Sequence, residues 1–529
     1  MRSTLRRIHW LILATIVLYA LVIRVILINE PFSRNAEGTG SYYGQLARNY
    51  LRLPFSTTHG VPVQSVHPSP DEPLTFYPNH PPLVPLLIAG SYSIFGDGTW
   101  QTRLPTVVFT LGCLLLIFHI LQTRGHPVAG LIASAIFAML PMTIFYGGHP
   151  DCINPQLIFF VLLTLHLYER FQRDPRWQSL AWMMIAFLPA AWTDWPAYYV
   201  VPVVCGHFAL THHPKKWFWI VPFGVVSVLL FCVVYGHIAT TIHDWQWMGK
   251  QLERRTISSE SDRTTHITAR TWVAGVMSHN VKRHTWPVLG LALVWIVGWG
   301  WRTRSSDRAD TFIRLIFAYA LLHVLIGRQA VFVHDWWWWP LTPALVLACG
   351  RVIEAAMLRL SEKRDRVPSR QLARIPLIAT TLLIVAFGFW TTRSTLPIFL
   401  DTQQTRGGVT FSTSEIGEAI RLAAPDQSTG VFVAYNDTYD LPLWFYGDRA
   451  LKLGVWDQWT LEQRLDDGRF DLPFGFTQRS VHPAVAYIMP SEFISSNTQP
   501  FVDYLRARYS VRETEKFLIF DLMTAKTGR

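Results

Sequence analysis

Apolar runs of about twenty residues recur along roughly the first 390 positions of the chain. An α-helix of that length crosses the hydrocarbon core of a bilayer. We count about eleven such segments, at about 8–28, 103–121, 127–145, 156–170, 178–192, 196–211, 217–238, 286–302, 311–327, 338–357 and 373–392. The pattern therefore predicts a polytopic α-helical membrane protein.

From residue 393 onward the polarity becomes that of a soluble domain, and the pattern changes to α/β. It predicts helices over 412–424, 461–465 and 501–508, and strands over 431–435, 484–488 and 516–521. A stretch of this length suffices for one small hydrophobic core. We therefore predict a transmembrane domain over 1–392 and a small extracytoplasmic α/β domain over 393–529.

Lysine and arginine residues cluster at alternate ends of the apolar segments. Because cytoplasmic loops carry the excess of positive charge, these ends are predicted to face the cytoplasm. The basic N-terminus precedes a long apolar stretch that lacks a small-residue cleavage site, so we interpret 8–28 as an uncleaved first span. An odd number of spans then places the N-terminus in the cytoplasm and the C-terminal domain outside, in a multi-pass protein of the plasma (inner) membrane.

Composition agrees with this assignment, since half of the residues are hydrophobic (50%) and only 16% are charged. The formal net charge of +11 does not indicate a nucleic-acid partner, because the cations lie in short loops and form no basic stripe with interleaved aromatic residues. The five cysteines show no CxxC spacing, and the C-terminal domain has none. A disulfide framework is therefore not expected there.

The long polar loop over 29–102 carries the first candidate residues for chemistry. It contains Glu37, the pair Tyr42-Tyr43 and the string Tyr77-Pro78-Asn79-His80-Pro81-Pro82-Leu83. A carboxylate near a membrane face can serve as a general base, although a single loop glutamate is more often simply solvated. The spacing from Tyr43 to Leu51 predicts an amphipathic helix that lies on the membrane. The two prolines after His80 stiffen the chain where it enters the next apolar segment.

Other candidates lie in the loops that are predicted to share this outer face. Asp194-Trp195 and His334-Asp335-Trp336 each pair an acid with an indole, which suits sugar binding but is also common at membrane interfaces. Arg328 lies at an outer span end, where a phosphate or a lipid headgroup would explain a cation. The residues His80, His149 and Asp151 could bind a divalent metal, but their spacing does not imply one.

These motifs together resemble the GT-C glycosyltransferases of the protein O-mannosyltransferase and aminoarabinose-transferase superfamily. The resemblance rests on an acidic residue in the first outer loop, a helix that ends Ala-Arg-Asn-Tyr-Leu, the motif Tyr-x-x-His-Pro-Pro-Leu, and the later Phe-Gly and Arg-Leu-Pro. It extends over about 8–240 and more loosely to 392. The family commonly has Asp-Glu at the position where this chain has Ala36-Glu37.

The resemblance implies a membrane enzyme that takes a sugar from a polyprenyl-phosphate carrier on the outer face. Glu37 matches the family's base. Asp151, the second catalytic candidate, lies near the position of the family's acidic residue at the start of the following span, and Asn154-Pro155 is the alternative match for that turn. The remaining candidates for substrate binding are Tyr43, His80, Asn154, Asp194, Arg328, His334 and Asp335. No cofactor is implied beyond the lipid-linked hexose or pentose donor. The acceptor is a glycan, a lipid or a protein, and membrane lipids are the other expected partners.

Two alternatives stay open at this point. A transporter for lipids or sugars would place functional charges near the bilayer midplane, where only Arg24 is expected. A catalytically inactive scaffold that presents the C-terminal domain would be consistent with Ala36. The position of the acids at outer span ends favours the enzyme, with the C-terminal domain as a lid or an acceptor-docking module.

Overall fold

The structure is a computed structural model. It describes residues 2–32, 38–68, 73–150, 155–256, 268–300, 307–362, 375–400, 411–435, 441–470 and 480–525. The chain divides into two compact units. The first contains Met1–Ile28, Pro78–Leu83 and Leu104–Ile398, and the second contains Asn29–Tyr77, Val84–Arg103 and Phe399–Arg529. The predicted transmembrane domain over 1–392 and the predicted extracytoplasmic domain over 393–529 are not tested by this division and stay predictions.

The regular secondary structure in the described part of the first unit is helical. Its α-helices, one of which begins in the second unit, are Arg2–Ile28, Thr99–Gln122, Pro127–Met139, Pro141–Tyr146, Pro155–Arg173, Trp177–Thr193, Val200–Thr211, Val221–Ile242, Trp247–Thr256, Ala269–His284, Trp286–Trp295, Arg308–Ile326, Arg328–Val333, Thr342–Glu362 and Ile375–Leu400. Short 3-10 helices cover Trp195–Tyr199, Pro214–Trp219 and Asp335–Leu341, and a π-helical turn covers Ile296–Gly300.

Several of these helices suit a membrane environment by their length and composition. Those long and apolar enough to cross a bilayer, among the described residues, are Arg7–Ile28, Thr99–Gln122, Val221–Ile242, Arg308–Ile326 and Asp335–Leu360. Shorter apolar helices cover Leu83–Phe95, Pro127–Met139 and Trp286–Gly298. The predicted helical membrane architecture is therefore confirmed, whereas the number of about eleven spans stays a prediction.

Proline residues break helices that the apolar pattern alone makes continuous. The predicted span over 127–145 is interrupted at Leu140, whose ψ of 140° is extended, and a new helix begins at Pro141. A residue that precedes proline is pushed out of the helical region, which explains the break. Pro196 and Pro340 likewise lie in 3-10 segments that precede longer helices. These breaks position polar side chains at helix ends.

Arg24 connects the first span to the helix Pro141–Tyr146, which begins directly after the break at Leu140. Its guanidinium is buried and donates hydrogen bonds to the carbonyl oxygens of Ala20 (2.8 Å) and Thr143 (2.9 Å). Ala20 is one turn earlier in the same helix, and Thr143 lies in the helix that follows the break. Arg24 therefore has a structural function, which does not require a transport pathway. Gly147 lies beside this guanidinium and donates its own N–H to the Thr143 carbonyl at 3.0 Å.

Gly147→Ala should destabilise this corner by about 1–3 kcal/mol, because overpacking displaces neighbouring groups. A methyl group at this position would overlap the Thr143 carbonyl oxygen and lie 3.0 Å from Nη2 of Arg24. We expect a lower midpoint of thermal unfolding for the purified protein. The matched control is Gly290→Ala, where a methyl group meets no atom within 4 Å. Equal midpoints for the two variants would contradict the tight packing at Gly147.

The second unit is built on a five-stranded mixed sheet. Its strands, in spatial order, are Ala450–Leu453, Gly430–Val433, Ala484–Pro490, Phe517–Ala525 and Tyr509–Glu513. The first three are parallel, and the last two extend the sheet in antiparallel fashion. A two-stranded ribbon pairs Arg469–Phe470 with Ser480–Val481. The helices of this unit are Gly38–Arg52, Phe55–Thr58, Leu83–Phe95, Thr413–Ala423, Leu441–Gly447, Gln458–Asp467 and Gln499–Arg508, with a 3-10 turn at Ser491–Phe493.

Both faces of this sheet are covered by helices, since successive strand residues point to opposite sides. Val431 and Val433 pack on one face with Trp444, while Phe432 packs on the other with Leu505. All of these side chains are buried. The result is a three-layer α/β structure, which confirms the fold class predicted for the C-terminal region.

The amphipathic helix predicted at 43–51 is observed as Gly38–Arg52, but its environment differs from the prediction. Residues 40–49 are buried inside the second unit. Tyr42 and Tyr43 pack in a hydrophobic cluster with Tyr77 and Ile88. Because protein side chains already cover the apolar face of this helix, a membrane surface is not needed to explain its pattern.

A buried ionic cluster ties Gly38–Arg52 to the end of Leu441–Gly447 within the second unit. We call it the Asp448 cluster, and it comprises Arg48, Arg52, His67 and Asp448. Arg52 binds both carboxylate oxygens of Asp448, at 2.9 and 2.6 Å. Nε2 of His67 lies 3.2 Å from Oδ1, and Nη1 of Arg48 lies 3.8 Å from it. The carboxylate is thus matched by two guanidinium groups and an imidazole.

Arg449, the next residue, is buried as well and has a capping role. It donates hydrogen bonds to the carbonyl oxygens of Ala424 (2.6 Å), Asp448 (2.7 Å) and Pro425 (3.0 Å). Orphan carbonyls at the end of a helix need such donors. Gly447, Asp448 and Arg449 are therefore part of the packed interior.

Candidate active site

His80 and Asp194 form a buried hydrogen-bonded pair in the first unit. His80 is 4% exposed and Asp194 is 1% exposed. Nδ1 of His80 lies 2.9 Å from Oδ1 of Asp194. Asp194 is held in place because it caps the 3-10 helix Trp195–Tyr199, where its Oδ1 accepts a hydrogen bond from the Trp195 N–H at 2.7 Å. The structure thus brings together two residues predicted at separate loops.

The other nitrogen of His80 faces a cation. Nη2 of Arg255 lies 3.3 Å from Nε2 of His80. Since a guanidinium only donates, this contact requires an imidazole with its proton on Nδ1, directed toward Asp194. Oδ2 of Asp194 is buried and has no hydrogen-bond partner within the described part of the chain. A buried carboxylate oxygen in that state is suited to accept a hydrogen bond from a ligand or a water molecule.

Arg255 lies near the end of the helix Trp247–Thr256, and its surroundings fix its direction. Its guanidinium lies 5.3 Å from the ring centroid of Trp337, a cation–π distance. No carboxylate among the described residues forms an ion pair with it. Arg328, the predicted phosphate partner, is exposed and donates from Nε to the Thr256 carbonyl at 2.6 Å. Arg328 therefore supports the helix that carries Arg255.

A second polar cluster surrounds Asp335, the first residue of the 3-10 helix Asp335–Leu341. The hydroxyl of Tyr146 donates to Oδ1 of Asp335 at 2.5 Å, and Nε of Arg283 donates to Oδ2 at 2.7 Å. Nη2 of Arg283 also lies 3.1 Å from the Tyr146 hydroxyl. The guanidinium of Arg283 is sandwiched against aromatic rings, 4.3 Å from the centroid of Phe145 and 4.7 Å from that of Tyr146. Asp335 is thus fully engaged.

Aromatic rings connect the two clusters. His334 lies against Trp336, with ring centroids 4.3 Å apart and planes inclined at 30°. Trp337, in the same 3-10 helix as Asp335, lies beneath Arg255 and stacks on His323 with centroids 5.2 Å apart. Nε2 of His323 is 2.9 Å from the Trp337 carbonyl oxygen. The segment that carries Asp335 therefore also carries the ring under Arg255.

The other predicted site residues have different outcomes. Glu37, Asp151 and Asn154 lie outside the described residues, so their predicted roles stay predictions. Tyr43 belongs to the second unit, where it is buried beside Tyr77 with ring centroids 6.1 Å apart. Its predicted role in substrate binding is likewise untested.

The metal interpretation of His80, His149 and Asp151 is untested, because Asp151 lies outside the described residues. Within those residues, no three His, Cys, Asp or Glu side chains converge where they could hold an ion. His80 instead contacts Asp194 and Arg255, and His149 lies edge-on to Tyr146 with centroids 5.6 Å apart. The contacts of these two histidines with their described neighbours thus include hydrogen bonds for His80 and a ring contact for His149.

Sequence reasoning missed Arg255 and Arg283, although one of them had a visible signal. Arg254 and Arg255 are adjacent cations in a loop predicted to be outside, where positive charge is disfavoured. The same reasoning selected Arg328 and could have selected Arg255. Arg283 lies in the basic run Lys282-Arg283-His284 at the end of a helix, where such residues are common, so its pairing with Asp335 could not be foreseen.

Comparison with known proteins places this site in a family context. Residues 79–239 match the family model for dolichyl-phosphate-mannose-protein mannosyltransferases. The matched stretch therefore begins at Asn79, beside His80, and includes Asp194. No curated protein sequence matches the chain at a significant level.

Solved structures give matches over almost the whole chain. ArnT from Cupriavidus metallidurans bound to undecaprenyl phosphate superimposes with a TM-score of 0.65 at 12% identity, over 96% of this chain and 97% of that one. The chain has a GT-C fold. The apo state of the same ArnT gives a TM-score of 0.58 at 12% identity, with coverage of 96% and 97%. The apo oligosaccharyltransferase of Archaeoglobus fulgidus gives 0.55 at 11% identity, over 91% of this chain and 69% of that one.

These matches confirm the resemblance inferred from the motifs. The family model covers the part of the chain that contains His-Pro-Pro-Leu, and the fold matches cover the C-terminal region as well. At 12% identity the structural likeness establishes the fold. The chemistry of this GT-C chain therefore has to be argued from its own residues.

Proposed function

We propose that the chain is a membrane glycosyltransferase that moves a hexose or pentose from a polyprenyl-phosphate carrier to an acceptor hydroxyl on the extracytoplasmic face. The family model and the GT-C fold support a glycosyltransferase of the membrane. The undecaprenyl phosphate bound by the Cupriavidus ArnT supports a polyprenyl phosphate as the carrier. The predicted orientation of the membrane domain supports the extracytoplasmic face.

The observation that carries this proposal is the contact between His80 and Asp194. These residues are 114 positions apart, both lie in the matched stretch 79–239, and both are buried. A buried polar pair is expensive to desolvate unless its groups are satisfied or used. The pair lies next to an arginine without a carboxylate partner among the described residues, and that combination suits recognition of an anion.

The proposed reaction is a direct displacement at the anomeric carbon of the donor sugar. The acceptor oxygen forms a bond to that carbon while the bond to the carrier phosphate breaks, which inverts the configuration. Glu37 takes the proton of the acceptor hydroxyl or orients that hydroxyl. The electron pair of the broken bond stays on the carrier phosphate, which is already a good leaving group, so positive charge suffices to stabilise it.

Arg255 is the residue in the described part best placed to supply that charge. Its contact with Nε2 of His80 and with the face of Trp337 holds the guanidinium without neutralising it. Arg283, in contrast, is already neutralised by Asp335. We therefore assign Arg255 to the carrier phosphate, with His80 directing it. The Asp335 cluster and the ring of Trp336 form the wall proposed for the sugar.

Arg255→Gln should raise the KM for the polyprenyl-phosphate donor about tenfold or more, since a charge-assisted contact to phosphate contributes about 1.5–3 kcal/mol. Initial rates at varied donor concentration would measure this effect. Arg254→Gln is the matched control, because it removes the same charge from the exposed neighbouring residue. If both variants raised KM equally, a general electrostatic attraction would replace the specific assignment to Arg255.

Asp194→Asn should lower kcat about 10–100-fold, because residues that orient a site group have effects of that size. Asparagine keeps the shape and can still accept the Nδ1 hydrogen bond, but it removes the negative charge that holds the His80 proton on Nδ1. The KM for the donor should rise as well, because His80 directs the guanidinium of Arg255 that is assigned to the carrier phosphate. Asp174→Asn, at an exposed carboxylate paired with Arg176, should leave kcat unchanged. A wild-type kcat for Asp194→Asn would contradict the positioning role.

The function itself is tested by mass spectrometry of envelope glycans from cells with and without the gene. Deletion should remove one sugar substituent, and the wild-type gene should restore it. Unchanged glycans would overturn the proposal. A transporter would instead move a labelled lipid-linked sugar across the membrane of sealed vesicles without forming a glycosidic bond. Vesicles prepared from the same cells therefore distinguish the two activities.

A further inference from the structure

The first unit contains a large cavity far from the candidate active site. Its volume is about 790 Å³, and residues of the helices Pro155–Arg173, Val200–Thr211 and Arg308–Ile326 line it. Its polar lining residues include Arg173, Thr211 and Arg308, which lie at or next to the ends of these helices. Arg308 and His323, beside Trp337, are separated by about 22 Å along one helix.

This end of the helices is the one predicted to face the cytoplasm. Arg173 and Arg308 belong to the basic clusters at alternate span ends that define that side. His323 of the same helix lies instead beside Trp337, at the site proposed for the outer face. The cavity is therefore at the level of the cytoplasmic leaflet of the membrane.

The charge of the cavity lining favours an anion. Among the described residues, three arginines, Arg173, Arg308 and Arg314, line it together with one carboxylate, Glu169. Arg308 binds Glu169 at 2.6 Å, Arg173 lies 3.7 Å from it, and Arg124 also donates to it. One negative charge is thus shared among several cations, which leaves an excess of positive charge at the cavity.

Polarity changes in an ordered way along the cavity. Arg314 lies about 9 Å along the helix axis from Arg308, with its side chain half-buried. Beyond it the lining becomes apolar, with Leu315, Ala318, Leu321 and Leu322 on this helix and Pro202 and Val203 on the facing one, whereas His207 and Leu210 of the facing helix lie nearer its basic end at Thr211. Arg314 also donates a hydrogen bond to the Thr311 hydroxyl, at 2.9 Å. A basic entrance followed directly by an apolar wall is complementary to a lipid that has an anionic headgroup and an acyl chain.

We propose that this cavity binds one anionic glycerophospholipid of the cytoplasmic leaflet. Its phosphate is held by Arg173 and Arg314, beside the Arg308–Glu169 pair, and an acyl chain lies along Leu315 to Leu322. Basic pockets between transmembrane helices on the cytoplasmic side suit such headgroups. The bound lipid would join three helices whose other ends lie at or near the candidate active site, so it would stabilise the enzyme without taking part in transfer.

Native mass spectrometry of the full-length purified protein would test this proposal. The probes are dioleoylphosphatidylglycerol, dioleoylphosphatidylethanolamine and undecaprenyl phosphate, each titrated separately. We expect one tight equivalent of phosphatidylglycerol and weaker binding of phosphatidylethanolamine. Tighter binding of undecaprenyl phosphate than of phosphatidylglycerol would overturn the choice of lipid, because the cavity would then serve the carrier.

Two variants test the location. Arg173→Gln combined with Arg314→Gln should weaken phosphatidylglycerol binding about tenfold or more. The matched control is Arg170→Gln combined with Arg176→Gln. It removes the same charge from two exposed residues that lie near the same end of the helix Pro155–Arg173 but do not line the cavity. Equal losses in the two double variants would overturn a specific site.

Gly206→Leu tests the cavity without changing its charge. A Cβ at Gly206 meets no atom within 4 Å, and leucine favours the helix more than glycine does. The variant should therefore fold, fill part of the cavity and weaken phosphatidylglycerol binding. Wild-type affinity in Gly206→Leu would show that the lipid binds elsewhere and would overturn the proposal.

Discussion

Glu37→Gln should lower sugar transfer about 10²–10⁴-fold, the range expected when a general base is removed. Glutamine has nearly the shape of glutamate but cannot accept the proton of an acceptor hydroxyl. The substitution should therefore act on kcat, with little change in carrier binding. Glu37 directly precedes the helix Gly38–Arg52 in the sequence.

The matched control for this variant is Glu30→Gln, seven positions earlier in the same loop. Glu30 accepts a hydrogen bond from Arg103 through its backbone carbonyl, which the substitution keeps. At saturating donor, the transfer rate of Glu30→Gln should exceed that of Glu37→Gln by about 10²–10⁴-fold. Wild-type kcat in Glu37→Gln would exclude Glu37 as the base, and Asp151→Asn would then test the other predicted acid.

Element positions were predictable where one local pattern determined them. The helix predicted at 501–508 is observed at Gln499–Arg508, and the strand predicted at 484–488 is observed at Ala484–Pro490. Amphipathic spacing and strand alternation reflect burial on one or two faces, and those faces do exist in the second unit. The short helix Leu441–Gly447 was missed, because seven residues show too little periodicity.

Long-range polar contacts were not predictable, because no local pattern encodes them. Arg255 is 175 positions from His80, and Arg283 is 137 positions from Tyr146. The residue types could be chosen from the loops in which they occur, but their partners depend on how the helices pack. Arg449 is a further case, since its three carbonyl partners, on Ala424, Asp448 and Pro425, depend on the packing of the second unit.

The inclusion of the first outer loop in the second unit was equally hidden. The residues after Glu37 pack with the C-terminal region in one unit, through the Asp448 cluster. This arrangement gives the C-terminal region a concrete function within its unit, which is to hold the helix that follows the proposed base. The prediction that this region does not carry the chemistry itself is compatible with that function and stays a prediction.

Asp448→Asn should destabilise the second unit by about 3–5 kcal/mol, the effect of removing one partner from a buried ion pair. The variant leaves the charges of Arg48 and Arg52 without their shared carboxylate. Asparagine tolerates the left-handed backbone of this position, where φ is 48°, so the substitution isolates the charge. A lower midpoint of thermal unfolding for the full-length protein would measure the loss.

The matched control is Asp97→Asn, because Asp97 binds the same Arg48. Oδ2 of Asp97 lies 2.7 Å from Nε of Arg48, but the Asp97 side chain is 49% exposed, whereas that of Asp448 is 9% exposed. Solvent weakens an exposed ion pair to about 0–1 kcal/mol. Asp97→Asn should therefore leave the midpoint almost unchanged. Equal effects of the two variants would show that burial does not decide the strength of these pairs.

The pH dependence of stability gives an independent test of the same carboxylate. Burial alone would raise the pKa of Asp448, but hydrogen bonds from His67 and Arg52 and the charges of Arg48 and Arg52 outweigh burial and hold that pKa well below its ordinary value. The unfolded chain therefore binds a proton more readily than the folded protein does. The contribution is fully present above about pH 4 and is lost as the pH falls below that value. The difference in thermal midpoint between the wild type and Asp448→Asn should accordingly shrink on acidification, and a difference that stays constant down to about pH 3 would contradict an ionised Asp448.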